Sequence, residues 1–425
     1  MLSTEDNKLL TQTGPGTPMG DLLRRYWMPA LISDELPKPD CPPVRVKMMS
    51  ENLVAFRDSN GQVALFDEHC PHRRASMFFG RNEECGLRCV YHGWKFDASG
   101  QCVDMPSEPP ESNFKDSVKI KSYPCKEYGG IVWTYMGPPE HTPEFPLYHY
   151  GFAKKNHIRI SRYRQECNYF QGIEGAIDSS HISFLHNREN TSAFSKLKNK
   201  FGDPKFEVVK TDYGLMIGAG RATEDPGKVY WRITQFIMPG FIMVPPISLS
   251  SSHEDCLGLT TWVPEDDENC TYWVLHFDPL YPIGDPNCRI AERPPVLPGT
   301  LQPVANKDND YMIDRSVQAS RATFTGMPYI QVEDQAMSES QLAIAERSKE
   351  KLGTSDTGII VARRLLLNAV KGLMEGETPP ALDIGKLKLR AASMILPKGV
   401  PYAEGAKEFF EYKIVHAPGF SPTPN

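Results

Sequence analysis

Two short pairs of residues, Cys70-Pro71-His72 and Cys89-Val90-Tyr91-His92, have the types and spacing to hold metal. Two thiolates on one iron and two imidazoles on the other would complete a two-iron, two-sulfur cluster. Neutral imidazoles in place of two thiolates take negative charge off such a cluster. That raises its potential above that of a plant-type ferredoxin, and the chemistry is one-electron transfer. The same donors also serve zinc. Against zinc stand the short C-x-H pair and the tight-loop residues Arg73-Arg74-Ala75 and Gly93-Trp94 that follow the two pairs. The stretch between them, Met77 to Glu83, reads as strand and turn, not as a finger helix.

A second set lies downstream. His181 and His186 are close in sequence, and one carboxylate added to them would make a two-histidine, one-carboxylate face on ferrous iron with open positions for dioxygen. A spacing of five turns the second side chain about 140° from the first on a regular helix. A break or bulge is therefore expected between them, near Ser183-Phe184. Asp178, three residues before His181, is a poor helix-interior residue and fits the carboxylate that orients a metal-bound imidazole. Taken alone, two unrelated histidines near a helix end explain the pair equally well. For the third ligand Asp334 is the candidate and Glu333 its rival, since a small carboxylate suits a compact triad. Acids at an exposed helix start would also account for both.

These sites need more than one domain to carry them. The chain has 425 residues, a net charge of −6 and ten cysteines. Its length suggests two or three domains. The mild acidity gives no sign of nucleic acid or of an anionic membrane surface. Pro239, Gly240, Pro245 and Pro246 break the longest apolar stretch, Ile233 to Leu249, so it does not read as a membrane span. The first residues do not read as a secretory signal, and the cysteines read as thiols in a reducing cytoplasm.

Residues 43–160 read as short strands between turns, ending at Ile131–Tyr135. Asp21 is expected to cap a helix running toward Trp27. Residues 166–190 read as helical, 205–280 as strands, 280–305 as a Pro-rich loop. From about 333 the pattern is helical again, with Ala343–Arg347 and Ile359–Asn368 as the clearest stretches. The expected class is α+β: an all-β domain, then an antiparallel sheet wrapped against a long C-terminal helix. The expected division is an N-terminal segment over 1–40 packing on the catalytic domain, a cluster domain over 41–160 and a catalytic domain over 161–425.

The segment CPHRRASMFFGRNEECGLRCVYHGWKFDASG resembles the Rieske domain of ring-hydroxylating oxygenases, and the segment NYFQGIEGAIDSSHISFLH resembles their iron-binding stretch. The extra cysteines that form a disulfide in respiratory Rieske proteins are missing here. The resemblance runs from Gly14 to about Asn368 and is nearest to large subunits of the phthalate 4,5-dioxygenase branch. It implies a helix-grip (START-like) catalytic domain. It implies one 2Fe-2S cluster on Cys70, His72, Cys89 and His92, and one mononuclear Fe(II) on His181, His186 and Asp334. Asn168 and Asp178 fall on catalytic positions, Asp178 as the bridge to His72 or His92 of a neighbouring subunit. A homotrimer, alone or stacked as a hexamer, follows from that bridge.

Arginine is the natural clamp for a carboxylate. Arg232 matches a carboxylate-binding arginine of the phthalate enzymes, and Lys205 stands where those enzymes have a second. Alternation alone leaves Arg232 free to be an outward strand residue in a surface ion pair. The Lys205 departure and a shortened 187–204 segment turn the expectation from ortho-phthalate to another benzoate. The expected activity is dihydroxylation of an aromatic carboxylate with O2. O-demethylation is the alternative on the same scaffold, and a bare electron carrier the other class. No G-x-G-x-x-G follows a strand, so NADH would act through a separate flavin and iron-sulfur reductase.

Overall fold

The computed structural model describes residues 2–188, 203–246, 249, 256–290, 292–385, 389–410, 417–421 and 423–424. Helices α1 (Thr4–Thr11) and α2 (Pro18–Arg24) open the chain. Thr17, not Asp21, caps α2: its hydroxyl accepts from Gly20 N, and Pro18 takes the first helical position, where a missing N–H costs nothing.

The N-terminal part is built from three small antiparallel sheets. Strands β1 (Trp27–Ile32), β2 (Val44–Met48), β3 (Glu51–Arg57), β4 (Val63–Asp67), β5 (Arg81–Glu83), β6 (Gly86–Arg88), β7 (Lys95–Asp97), β8 (Cys102–Asp104), β9 (Ser122–Tyr123), β10 (Cys125–Tyr128) and β11 (Ile131–Tyr135) are ordered β1-β11-β10, β2-β3-β4-β9 and β5-β6-β7-β8. The two metal-binding pairs sit on the β4–β5 and β6–β7 loops. Val54, Phe56, Phe66, Leu87, Trp94 and Phe96 form a separate small core beneath them.

An eight-stranded antiparallel sheet follows. Its strands are β12 (Ile158–Gln165), β13 (Lys205–Lys210), β14 (Gly214–Ala222), β15 (Lys228–Ile237), β16 (Phe241–Met243), β17 (Leu257–Pro264), β18 (Cys270–Phe277) and β19 (Ala392–Pro397). The order is β12-β18-β17-β16-β15-β14-β13, and β19 pairs with β15. Three helices matter for the site: α3 (Tyr169–Ile177), α4 (Ile330–Ser340) and α5 (Thr357–Met374). In α5 Ala362, Leu366 and Val370 recur every four residues as the buried stripe of an amphipathic helix. A Cβ on Gly358 of α5 would meet Ile217 of β14 at 3.1 Å, so this helix lies directly on the sheet.

Ala343–Arg347, expected as helix, is irregular. Its backbone groups are already committed: Ala343 O accepts from Asn168 N, Ala345 N donates to the Gln171 side chain, and Ala345 O accepts from Asn7 Nδ2. Among the described residues no helix is long and apolar enough to cross a membrane.

Candidate functional site

The two loops of the N-terminal part are built alike. Cys70 N donates to Ala75 O and Arg74 N to Cys70 O; Cys89 N donates to Trp94 O and Gly93 N to Cys89 O. The fourth residue after each cysteine has positive φ, +59° at Arg74 and +79° at Gly93, which turns the chain back over the site. Cys70 and Cys89 are buried, whereas His72 is exposed and His92 half-buried. The two imidazoles are 4.5 Å apart between ring centres, and Trp94 stacks on His72 at 4.3 Å. Burial pushes the Cys70 thiol up to about 12, with Cys89 beside it adding to the shift. Two sulfurs inside and two imidazoles at the rim fit an iron–sulfur pair whose histidine-bound iron faces outward.

The second site is set by the end of α3. Tyr169, Phe170, Ile173 and Ile177 bury one side of this helix. It stops at Ile177, well before the expected break at Ser183-Phe184, because Asp178 leaves helical geometry and its Oδ1 accepts from Ser180 N at 2.6 Å. A single 3-10 turn, His181–Ser183, then presents His181, and the next turn brings His186 back beside it. Their Nε2 atoms are 3.3 Å apart. Asp334 Oδ1, from α4, lies 3.6 Å from the first and 3.1 Å from the second. An ion about 2.1 Å from each corner, an ordinary metal–ligand bond length, fits a triangle of this size and keeps its far side open.

The rear nitrogens of both rings meet carboxylates. Asp178 Oδ2 lies 3.4 Å from His181 Nδ1, and Glu333 Oε2 lies 2.7 Å from His186 Nδ1. Glu333 is fully buried and also accepts from Arg188 at 2.9 Å and from the Thr325 hydroxyl at 2.7 Å. Sequence reasoning weighed Glu333 as a ligand; its carboxylate instead holds the back of a ligand, the usual arrangement for a metal-bound histidine. Burial pushes the His186 imidazole down, but Asp334 and Glu333 outweigh it and bring it up to about 9.

Two expected residues stand elsewhere. Asn168 caps α3 at the end opposite Asp178; its Oδ1 accepts from Phe170 N, and its Nδ2 donates to Thr11 O and Asp267 O. With its amide fully engaged there, it is a structural cap and not a reacting group. Lys205 is exposed on β13 and pairs with Gly220, which pairs with Trp231. Neighbours across a sheet share a face, so Lys205 points away from the face that carries Arg232. Arg232 is buried, and its guanidinium donates to Pro245 O and Pro246 O at 3.0 and 3.1 Å. Arg221, which sequence reasoning missed, lies on the same face as Arg232 and donates to Ser179 Oγ and, through Nη2, to Ser179 O. The sequence carries no signal for it, because its face follows from standing two residues after Ala219, which the register pairs with Arg232.

Residues 26–124 match the model of the Rieske [2Fe-2S] domain, and residues 134–416 match the model described as LigXa C-terminal domain like. The chain belongs to the Rieske oxygenase family. The 3-chlorobenzoate-3,4-dioxygenase oxygenase subunit of Comamonas testosteroni is 35% identical, over 97% of this chain and 99% of its own length. The phthalate 4,5-dioxygenase oxygenase subunit of Pseudomonas putida is 35% identical, over 89% and 88%. The 5,5'-dehydrodivanillate O-demethylase oxygenase subunit of Sphingobium sp. SYK-6 is 34% identical, over 90% and 84%. In fold the chain is similar to NdmA of Pseudomonas putida CBB5 (its QL mutant with theobromine), with a TM-score of 0.59 at 20% identity, covering 83% of this chain and 92% of that one. This Rieske oxygenase is therefore an oxygenase subunit of a multicomponent system, with a 2Fe-2S domain and an iron domain in one chain.

Proposed function

We propose that this oxygenase dihydroxylates an aromatic carboxylate. The observation that carries the reading is the triangle of His181 Nε2, His186 Nε2 and Asp334 Oδ1; two residues before His181, Ser179 accepts from Arg221, which shares its sheet face with the buried Arg232. When bound, ferrous iron in that triangle supplies open positions for dioxygen, and the cluster supplies single electrons. Asp178 and Glu333 fix the two imidazoles by their rear nitrogens. Arg232 supplies a planar fork that a substrate carboxylate can engage.

Three copies arranged in a ring would set the cluster of one against Asp178 of the next. Two exposed aromatic patches support this reading. Tyr91 and Phe79, beside the cluster loops, are 52% and 64% exposed; Phe184, between the two iron-site histidines, is 61% exposed and meets Phe324 edge-on. Electrons then enter from a reductase that uses NADH.

The test is product mass under oxygen-18 with NADH and a surrogate reductase, across benzoates, phthalate isomers and methoxybenzoates. A product with two labelled oxygens and two added hydrogens is expected. Formaldehyde and a phenol would move the assignment to O-demethylation. No turnover by fully loaded protein would remove the aromatic-acid reading.

A further inference from the structure

Arg221 and Arg232 are two buried cations on one face of the sheet, 1% and 6% exposed. Register pairs Ala219 with Arg232 and Arg221 with Tyr230, so Arg221 stands diagonally across from Arg232 on the neighbouring strand. Diagonal neighbours on one face lie about 7–8 Å apart, within reach of two long side chains. The residues directly opposite Arg232, Ala219 on β14 and Ser393 on β19, are both small, so neither strand puts a bulky side chain beside it. Arg221 also ties this face to the iron site. It donates through Nη1 to Ser179 Oγ at 3.3 Å and through Nη2 to Ser179 O. Ser179 follows Asp178, whose Oδ2 faces His181 Nδ1 at 3.4 Å. A Cβ on Gly358 would lie 3.1 Å from Ile217, which shares the face of Arg221, and 3.8 Å from Ile177 O, so the end of α3 lies over this face.

What singles out the pair is the missing counter-charge. The buried Arg24, Arg347 and Arg363 each meet a glutamate. Among the described residues no carboxylate pairs with Arg221 or Arg232; their acceptors are the oxygens of Ser179, Pro245 and Pro246. Nε of each is buried with no partner. Burial, with Arg232 adding to it, pulls the Arg221 guanidinium down to about 10. Buried charges are normally paired, and a buried donor without an acceptor costs stability. A ligand that brings two negative charges supplies both.

We propose that Arg221 and Arg232 together form one anion pocket beside the iron-site turn, and that the preferred substrate is an aromatic diacid with both acidic groups on the same side of the ring, ortho or meta to each other. Each guanidinium takes one carboxylate through its planar fork. Acid groups at opposite ends of a ring point apart and leave one cation unpaired. This rests on the aromatic-acid reading above and narrows it to same-side diacids.

The test is titration calorimetry on protein loaded with iron and cluster. The ligands are benzoate, ortho-phthalate, isophthalate and terephthalate; the variants are R221M, R221Q, R221K and R232M. The better same-side diacid should bind wild type at least about tenfold more tightly than benzoate or terephthalate. In R221M that ratio should collapse toward one, and R221K, which keeps the charge, should restore part of it. Cluster absorbance and iron content verify the fold, and R221Q, which can still donate to Ser179, stands in if R221M does not load iron. If wild type prefers no same-side diacid, the pocket is overturned. If R221M or R221Q weakens every acid equally, Arg221 only anchors Ser179, and the pocket is overturned again. If the ratio survives in both while R232M weakens binding, the pocket is likewise overturned and the aromatic-acid reading stands. If fully loaded wild type binds none of the four, both fall.

Discussion

Glu333 Oε2 lies 2.7 Å from His186 Nδ1, while the next residue, Asp334, places Oδ1 3.1 Å from Nε2 of the same ring. Adjacent carboxylates thus grip one imidazole from both sides, one in the ligand position and one behind it. Their substitutions should differ in kind. D334A removes a corner of the triangle and should abolish iron retention. E333Q should leave the triangle intact and weaken iron binding by about 10–100-fold, the usual cost of removing a ligand's carboxylate partner. Iron content after dialysis against a graded chelator separates the two; equal losses would mean that Glu333 is itself a ligand.

The same grip sets a pH dependence. In the metal-free protein the His186 imidazole keeps its proton up to about 9, against an ordinary 6.5. Iron must displace that proton, so apparent affinity should fall about tenfold for each unit of pH below 9. The sign is opposite for the empty protein. A raised value means the charged imidazole stabilises the fold fully below 6.5, and that contribution is lost as pH rises through about 9. Thermal midpoints of metal-free protein, compared between wild type and H186N across that window, would show the difference narrowing with pH. A constant difference would remove His186 as the group responsible.

Behind the iron helix, Glu174 is buried between Arg347, at 2.8 Å, and Arg363, at 2.6 Å, and Glu350 takes the other side of Arg363. E174Q leaves two buried guanidinium groups facing a neutral amide. The expected loss is about 3–5 kcal/mol of stability, as for other buried pairs broken on one side. Urea unfolding followed by tryptophan fluorescence measures it, and the near-neutral cost of an exposed pair would contradict the burial argument.

Much of this was legible because metal ligands are local. Each Cys/His pair sits in one loop, and the two histidines of the iron triad are five residues apart in the chain. What was not legible depends on phase and on distant partners. Whether Glu333 or Asp334 faces the metal depends on the rotation of α4, which adjacent acids do not reveal. Lys205 and Arg221 illustrate the sheet version: one residue of phase decides the face, and only the register with β14 and β15 shows it. Asn168 matched a catalytic position in pattern, yet its amide caps α3 through Oδ1 and donates through Nδ2 to Thr11 O and Asp267 O. Ala343–Arg347 has helical periodicity, but Asn7, Asn168 and Gln171 claim its backbone.

Asp178 joins these two kinds of information, since its place in the sequence is local and its proposed job lies between subunits. Its Oδ1 is bound to Ser180 N, and its Oδ2 faces His181 Nδ1 at 3.4 Å. Burial pushes the carboxyl up, but the His181 hydrogen bond outweighs it and keeps the group ionised. D178N keeps the shape and can keep the bond to Ser180; it removes a ligand's carboxylate partner as E333Q does, so with iron supplied well above the weakened affinity both metals should be loaded. Only the charge behind His181 and the proposed link toward a neighbouring cluster are lost. Oxidation of the reduced cluster in a single turnover should then slow by about 10–100-fold, while cluster absorbance and iron content stay at wild-type levels. Stopped-flow mixing of reduced, substrate-bound protein with oxygen makes the measurement. A D178N protein that reoxidises its cluster at the wild-type rate would place the electron route through other residues.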